Sequence, residues 1–174
     1  MREADFLAGV VRASGPVLTR FLDGFSDRSH TLQAPALPNH VAWTLGHCAY
    51  TMGRLVERLG GPALPQGDFL VGDGSQGTLE RFDTQSVRLG SRPRPDPSMY
   101  PTLTRATRVF EDAVERLASS VLTLDDAALG VLVSWGAYDR PRRELVVRVS
   151  LHNAQHAGQI TDLRRALAMP TIAG

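Results

Sequence analysis

The chain has 174 residues, 43% hydrophobic and 21% charged, with a formal net charge of +1. That is the size and balance of one soluble domain spanning 1–174, with enough apolar residues for a real core. It excludes a disordered segment, and the interspersed charges argue against a nucleic-acid partner, which normally draws on a basic face. No apolar run reaches the roughly 20 residues a membrane span needs. The first residues lack the basic start and apolar stretch of a secretion signal, and the single Cys48 cannot form an internal disulfide. A cytoplasmic protein without membrane or nucleic-acid partners is the expectation. All nineteen basic residues are Arg, spread evenly enough to read as coding bias. The absence of Lys excludes Schiff-base chemistry.

In chain order, the first helix is expected from about Glu3 to Phe25, with Phe6, Val10, Val17, Phe21 and Phe25 as its apolar positions. Gly15-Pro16 predicts a kink or restart inside it. A Pro-rich connection over 33–38 leads to Asn39, a good N-cap. The second helix follows from about His40 to Leu59, its seam formed by Val41, Leu45, Cys48, Met52, Leu55 and Leu59. Gly60-Gly61-Pro62 ends it. Residues 61–100 form a connection far longer than bundles usually carry, either a crossover or a functional rim, with a short helix around Thr78–Ser86.

The third helix is expected from about Thr102 to Ser119, with Ala106, Phe110, Ala113, Val114 and Leu117 on one side. A turn-rich section over 124–130 and a brief extended piece over Val131–Tyr138 precede Asp139, a plausible N-cap with Pro141 in the first turn. The fourth helix runs from about Arg140 to Leu167, with Leu145, Val149, His152, His156, Ile160, Leu163 and Leu167 on one face. The fold class is therefore all-α, a four-helix bundle with a long connection between the second and third helices.

His152 and His156 are the anomaly, because they occupy consecutive positions of an otherwise aliphatic seam. At i, i+4 both side chains point the same way, one turn apart. Two neutral imidazoles so placed can share a divalent ion. Buried without partners, each unsatisfied ring nitrogen costs about 1–3 kcal/mol. Alternatively Asn153, Gln155 and Gln159 satisfy them through a polar network. His47, mid-way along the second helix, reaches the same point if that helix faces the fourth, and three His ligands would leave coordination positions open. Gly46 and Gly158 flank these residues and read either as close helix packing or as room for a ligand.

Other residues draw blander readings. Cys48 falls on the apolar seam and reads as core rather than as a nucleophile paired with His47. His40 reads as a surface or capping-region residue and His30 as part of a polar turn. Trp43, Trp135 and Tyr100 line a pocket mouth or sit in the core. Asp68 and Asp73 are candidates for a general base or fourth ligand that nothing places near the histidines.

Three stretches carry a family resemblance. Residues 38–47, ending in Leu45-Gly46-His47, resemble the second-helix segment of DinB/YfiT-like proteins. Leu151-His152-Asn153-Ala154-Gln155-His156-Ala157-Gly158-Gln159-Ile160 is similar to their last-helix segment, and residues 96–101 are similar to the piece before their third helix. The resemblance implies a bundle with metal ligands at His47, His152 and His156, holding nickel or zinc. It further implies a homodimer, and for some members a thiol-dependent transferase or isomerase activity with a low-molecular-weight thiol such as mycothiol. The function expected is thus a metal-dependent transferase or hydrolase acting on a small-molecule substrate. The alternatives are a metal- or small-ligand-binding bundle without turnover, and a bundle with vestigial histidines that serves partner association.

Overall fold

A computed structural model describes residues 1–65 and 86–172 of the chain. The short helix expected near Thr78–Ser86 lies, but for Ser86, outside the described residues, as do Asp68 and Asp73. The chain is predominantly helical: α1 (Glu3–Thr19), α2 (Val41–Arg58), α3 (Leu103–Leu122), a short α4 (Asp126–Gly130) and α5 (Arg142–Ala166), with a two-stranded antiparallel sheet of β1 (Leu132–Trp135) and β2 (Tyr138–Pro141). The extended piece expected over 131–138 holds β1 and the turn, while the all-α fold class left out its pairing with β2. The two-residue turn has Gly136 at φ 66° while Ala137 stays out of the left-handed region, the pattern of a type II′ turn.

The four long helices pack around a common core, α1 and α2 each lying against both α3 and α5. Their directions follow from side-chain pairs. Glu3–Arg143, Ser14–Asn153 and the Phe21 carbonyl with Arg164 make α1 and α5 parallel. Arg12–Glu115, with Asp27 receiving the amide of Leu103, makes α1 antiparallel to α3. His47–His152 and Asn39–Gln159 make α2 antiparallel to α5. At the far end Gly61 lies against Ser120, so α2 and α3 run the same way. A parallel neighbour demands a connection back along the helix length, which is why the chain between them is long.

The α2 seam is buried at every expected position, and so is that of α3. Phe110, Leu45, Met52, Leu55, Leu117 and Leu163 are among the fully buried side chains. Of the positions expected for the first helix, Phe21 and Phe25 lie beyond the end of α1 and do pack on the core, but within α1 the expectation picked the wrong stripe. Leu7, Ala8, Val11, Gly15 and Leu18 face the core, whereas Phe6 is 56% exposed and Val17 is also exposed. Gly15 faces α3, where a Cβ would make an ordinary contact with Val114 at 3.6 Å. The helix continues through Pro16 to Thr19 and tightens into a 3-10 turn over Arg20–Leu22.

Two cap assignments change as well. The N-cap of α2 is His40, whose Nδ1 accepts the Trp43 amide at 3.2 Å, while the Asn39 side chain donates to Gln159. Asp139 and Pro141 belong to β2, and α5 begins only at Arg142. At its other end, the buried Arg164 guanidinium donates to the carbonyls of Phe21, Asp23 and Pro170, tying the end of α1 to the C-terminal tail. Among the described residues no helix is long and apolar enough to cross a membrane.

Candidate metal centre

Mid-way along α2 and α5 the structure brings His47, His152 and His156 together. The Nε2 atoms of His47 and His152 are 3.2 Å apart and those of His152 and His156 are 3.1 Å apart. All three lie within 4.8 Å of one another, forming a three-histidine group suited to a metal ion. The i, i+4 spacing on α5 aligns two rings on one face, and the antiparallel α2 supplies the third from across the core.

The opposite ring atoms decide what those nitrogens offer. His47 Nδ1 is 2.6 Å from the carbonyl of Val87. A carbonyl only accepts, so in the neutral ring Nδ1 carries the hydrogen and Nε2 presents a lone pair. His156 Nδ1 lies 2.9 Å from Gln159 Oε1, which also receives Asn39 Nδ2 at 3.1 Å; the same tautomer follows. Two lone pairs therefore converge on His152 Nε2, and a hydrogen there satisfies only one of them. His152 Nδ1 is buried without a hydrogen-bond partner among the described residues.

A divalent ion resolves this arrangement. Two nitrogens bound to one zinc at tetrahedral angles stand about 3.3 Å apart, close to the separations here. The orienting bonds to Val87 and Gln159 are the outer partners that metal-binding histidines ordinarily have. Burial holds all three rings in the neutral state that ligation requires. It pushes His152 down to about 3, helped by repulsion from charge on His156 and His47, and His156 down to about 4, helped by His47. His47 is lowered by the same burial, against the Val87 bond that favours its charged form.

The surroundings are aromatic and apolar. Trp43 stacks on His47 and donates through Nε1 to Ser91 Oγ at 2.9 Å. With Ala42, Val87 and Tyr100 it forms a small second cluster beside the main core. On the other side, a cleft of about 290 Å³ opens at His152, lined by Thr51, Trp135, Arg148, Val149 and Gln155. A larger surface hollow of about 670 Å³ lies at the C-terminal ends of α2 and α3 and includes none of the three histidines.

The remaining sequence candidates separate cleanly. Of the possible polar network, only Gln159 reaches the histidines; Asn153 bonds to Ser14 and Met52 across the core. Gly158 is not a close-packing residue, since a Cβ there would meet nothing within 4 Å. Cys48 is fully buried in the apolar core, and burial pushes its thiol up, away from thiolate chemistry. His40 is not a surface residue. It is completely buried, its Nε2 2.9 Å from the Arg94 carbonyl, and burial lowers it to about 4. His30 is buried too, with Nε2 3.0 Å from the Pro101 carbonyl.

Those contacts reveal a feature the sequence reading missed. The segment over 87–101 is held by side chains reaching its backbone oxygens: His47 on Val87, Gln33 on Pro93, His40 on Arg94, Thr31 on Pro95 and His30 on Pro101. The signal available was the dense Arg-Pro run at 92–97, which has few amides of its own to pair and leaves carbonyls for others.

Comparison with known proteins agrees with this architecture. A family model described as the DinB superfamily matches residues 12–160. A solved structure from Enterococcus faecalis, described as the conserved protein of locus, superposes with a TM-score of 0.71 at 13% identity, covering 97% of this chain and 98% of that one. At that identity the likeness is one of fold. No curated protein matches the chain.

Proposed function

The chain belongs to the DinB superfamily, and from that membership and its three-histidine centre we propose that it is a divalent-metal-dependent enzyme built on a four-helix bundle, acting on a small molecule as a thiol-dependent transferase or a hydrolase. The observation that carries this reading is the convergence of three Nε2 atoms whose opposite nitrogens at His47 and His156 are committed to Val87 and Gln159. His47, His152 and His156 would hold the ion, nickel or zinc. When bound, such an ion lowers the pKa of a coordinated water or thiol, so that hydroxide or thiolate is available near neutral pH.

The chain's own residues supply the rest. Val87 and Gln159 hold the protons on the two Nδ1 atoms, Trp43 covers the His47 ring, and the cleft at His152 gives a substrate its approach. A three-histidine set beside an open cleft supports catalysis over a closed structural role. A cytoplasmic location belongs to this reading, and so does a homodimer, which is supported by the exposed apolar side chains Phe6 on α1 and Val147 and Leu151 on α5.

Elemental analysis of untagged protein tests the centre. A stoichiometric divalent metal, absent when all three histidines are changed to Ala, is expected. Metal-free native protein that gains no thermal stability from added nickel, zinc or manganese would overturn it. Screening with mycothiol, bacillithiol and glutathione then separates an enzyme from a metal- or ligand-binding protein without turnover.

A further inference from the structure

We propose that the cleft at His152 selects small carboxylate-bearing molecules, with Arg148 as the residue that receives the carboxylate and Trp135 as the wall for the apolar body. The inference builds on the reading of this cleft as the substrate's approach and adds the chemical class of what enters.

Four observations combine. First, Arg148 lies one turn before His152 on α5, so the two side chains share a face about 6 Å apart at their Cβ atoms. Second, the guanidinium is weakly engaged. Its side chain is 59% exposed, and among the described residues its ion pair is with Glu144 at 4.0 Å, a carboxylate already closer to Arg140 at 3.4 Å. An arginine so placed keeps its planar fork of donors available for bidentate recognition.

Third, among the described residues no carboxylate lines the cleft. Its polar groups are Thr51, Arg148, Gln155 and His152, and its apolar ones include Trp135 and Val149. In the metal-free cleft Arg148 is the one cationic side chain among the described lining residues, and its single planar fork is filled by the two oxygens of a carboxylate. Fourth, the volume of about 290 Å³ is at the lower end for small-ligand sites, about 300–1,000 Å³. That suits a compact body rather than a nucleotide or an extended peptide.

The test uses benzoate on the metal-free full-length protein, so that direct ligation to an ion plays no part. Binding is followed by amide and indole chemical shifts in two-dimensional NMR. Benzoate is expected to shift Trp135, Val149 and Gln155 while leaving the Trp43 indole unmoved, since Trp43 is buried and bonded to Ser91. Arg148→Gln should weaken binding at least about tenfold and Arg148→Lys less, because an ammonium keeps the charge without the fork. Benzamide, of the same shape but neutral, should bind at least about tenfold more weakly than benzoate.

Equal affinity of the native protein and Arg148→Gln for benzoate, equal affinity for benzamide, tighter binding of phenyl phosphate, or no shifts in the cleft at millimolar benzoate would each overturn the assignment. Metal content, measured separately on native protein and Arg148→Gln, keeps the two readings apart. Stoichiometric metal in both without Arg148-dependent benzoate binding defeats only the carboxylate assignment. Arg148-dependent binding in a protein that takes up no metal defeats only the metal reading.

Discussion

The indole of Trp43 lies parallel to the imidazole of His47, with planes 10° apart and ring centroids separated by 4.5 Å. Both residues sit on α2, and the stack places a fluorophore in direct contact with a candidate metal ligand. Nickel added to metal-free protein should therefore quench tryptophan emission in a saturable, stoichiometric titration. Trp43→Phe should abolish most of that quenching while Trp135 continues to emit. Quenching of the same depth in Trp43→Phe would contradict the placement of the ion at His47.

Metal should also stabilise the fold, because an ion that binds only the folded state adds free energy by mass action. At a free concentration a hundredfold above Kd the gain is about 2.7 kcal/mol. For a chain of this size that corresponds to a rise in Tm of roughly 5–10 °C. His47→Ala removes one of three donors and should erase most of this rise, which calorimetry with and without zinc would reveal.

The orienting bonds predict a separate effect. Gln159→Leu leaves all three ligands in place but removes the acceptor for His156 Nδ1. Loss of such a partner typically weakens metal affinity about 10–100-fold. Competition against a chelator of known affinity should show that drop, alongside a metal-free stability lowered by about 1–3 kcal/mol because His156 Nδ1 loses its acceptor. Unchanged affinity would mean that packing alone fixes the His156 ring.

The second histidine pair predicts acid sensitivity. Burial, with a smaller contribution from the neighbouring His30, lowers His40 to about 4 from an ordinary 6.5. The unfolded chain thus takes up the proton first as pH falls. The stability His40 provides is complete above pH 6.5, is lost between 6.5 and about 4, and changes no further below that. The loss is at most about 3 kcal/mol. Urea unfolding of metal-free protein across this window should show a shallower pH slope for His40→Asn, which can still cap α2 but does not titrate there. An identical slope in the variant would exclude His40 as a source of the sensitivity.

The homodimer reading rests on exposed apolar residues of α1 and α5. Leu151 is 63% exposed although it neighbours His152. Light scattering should find native protein dimeric and Val147→Glu shifted toward monomer, with metal content unchanged. A monomeric native protein would remove the proposal.

Much of this was legible in the sequence. The seam of α2 could be read directly because its large side chains all point inward at regular spacing. The candidate centre could be read because His152 and His156 interrupt such a seam. For α1 the same rule failed. Its inward stripe mixes Leu7 and Leu18 with Ala8, Val11 and Gly15, while Phe6 and Val17 turn outward, so size and burial no longer coincide. The hairpin was only half visible, since four-residue strands offer too little alternation to register.

The burial of His30 and His40 escaped for another reason, although the capping position of His40 was legible. Their partners are main-chain oxygens some 54 to 71 residues away, and no side-chain pattern advertises a carbonyl. His47 was placed at the centre through family resemblance and the facing-helix argument, and the structure brings its Nε2 to His152. Its bond to Val87 was equally invisible.

That bond to Val87 has a bearing on how this protein can change. Its acceptor belongs to the backbone, as do the acceptors at Pro93, Arg94, Pro95 and Pro101. Replacing the side chain at 87 leaves the oxygen in place, so the aim of His47 withstands substitution along the very segment that provides it. The residues that hold the segment, on the preceding turn and α2, must stay; among those being held, exposed positions such as Arg92 and Arg94 are free to drift, whereas Val87 and Tyr100 are buried. The exposed positions within this segment can therefore vary and still leave the same imidazole at the same point.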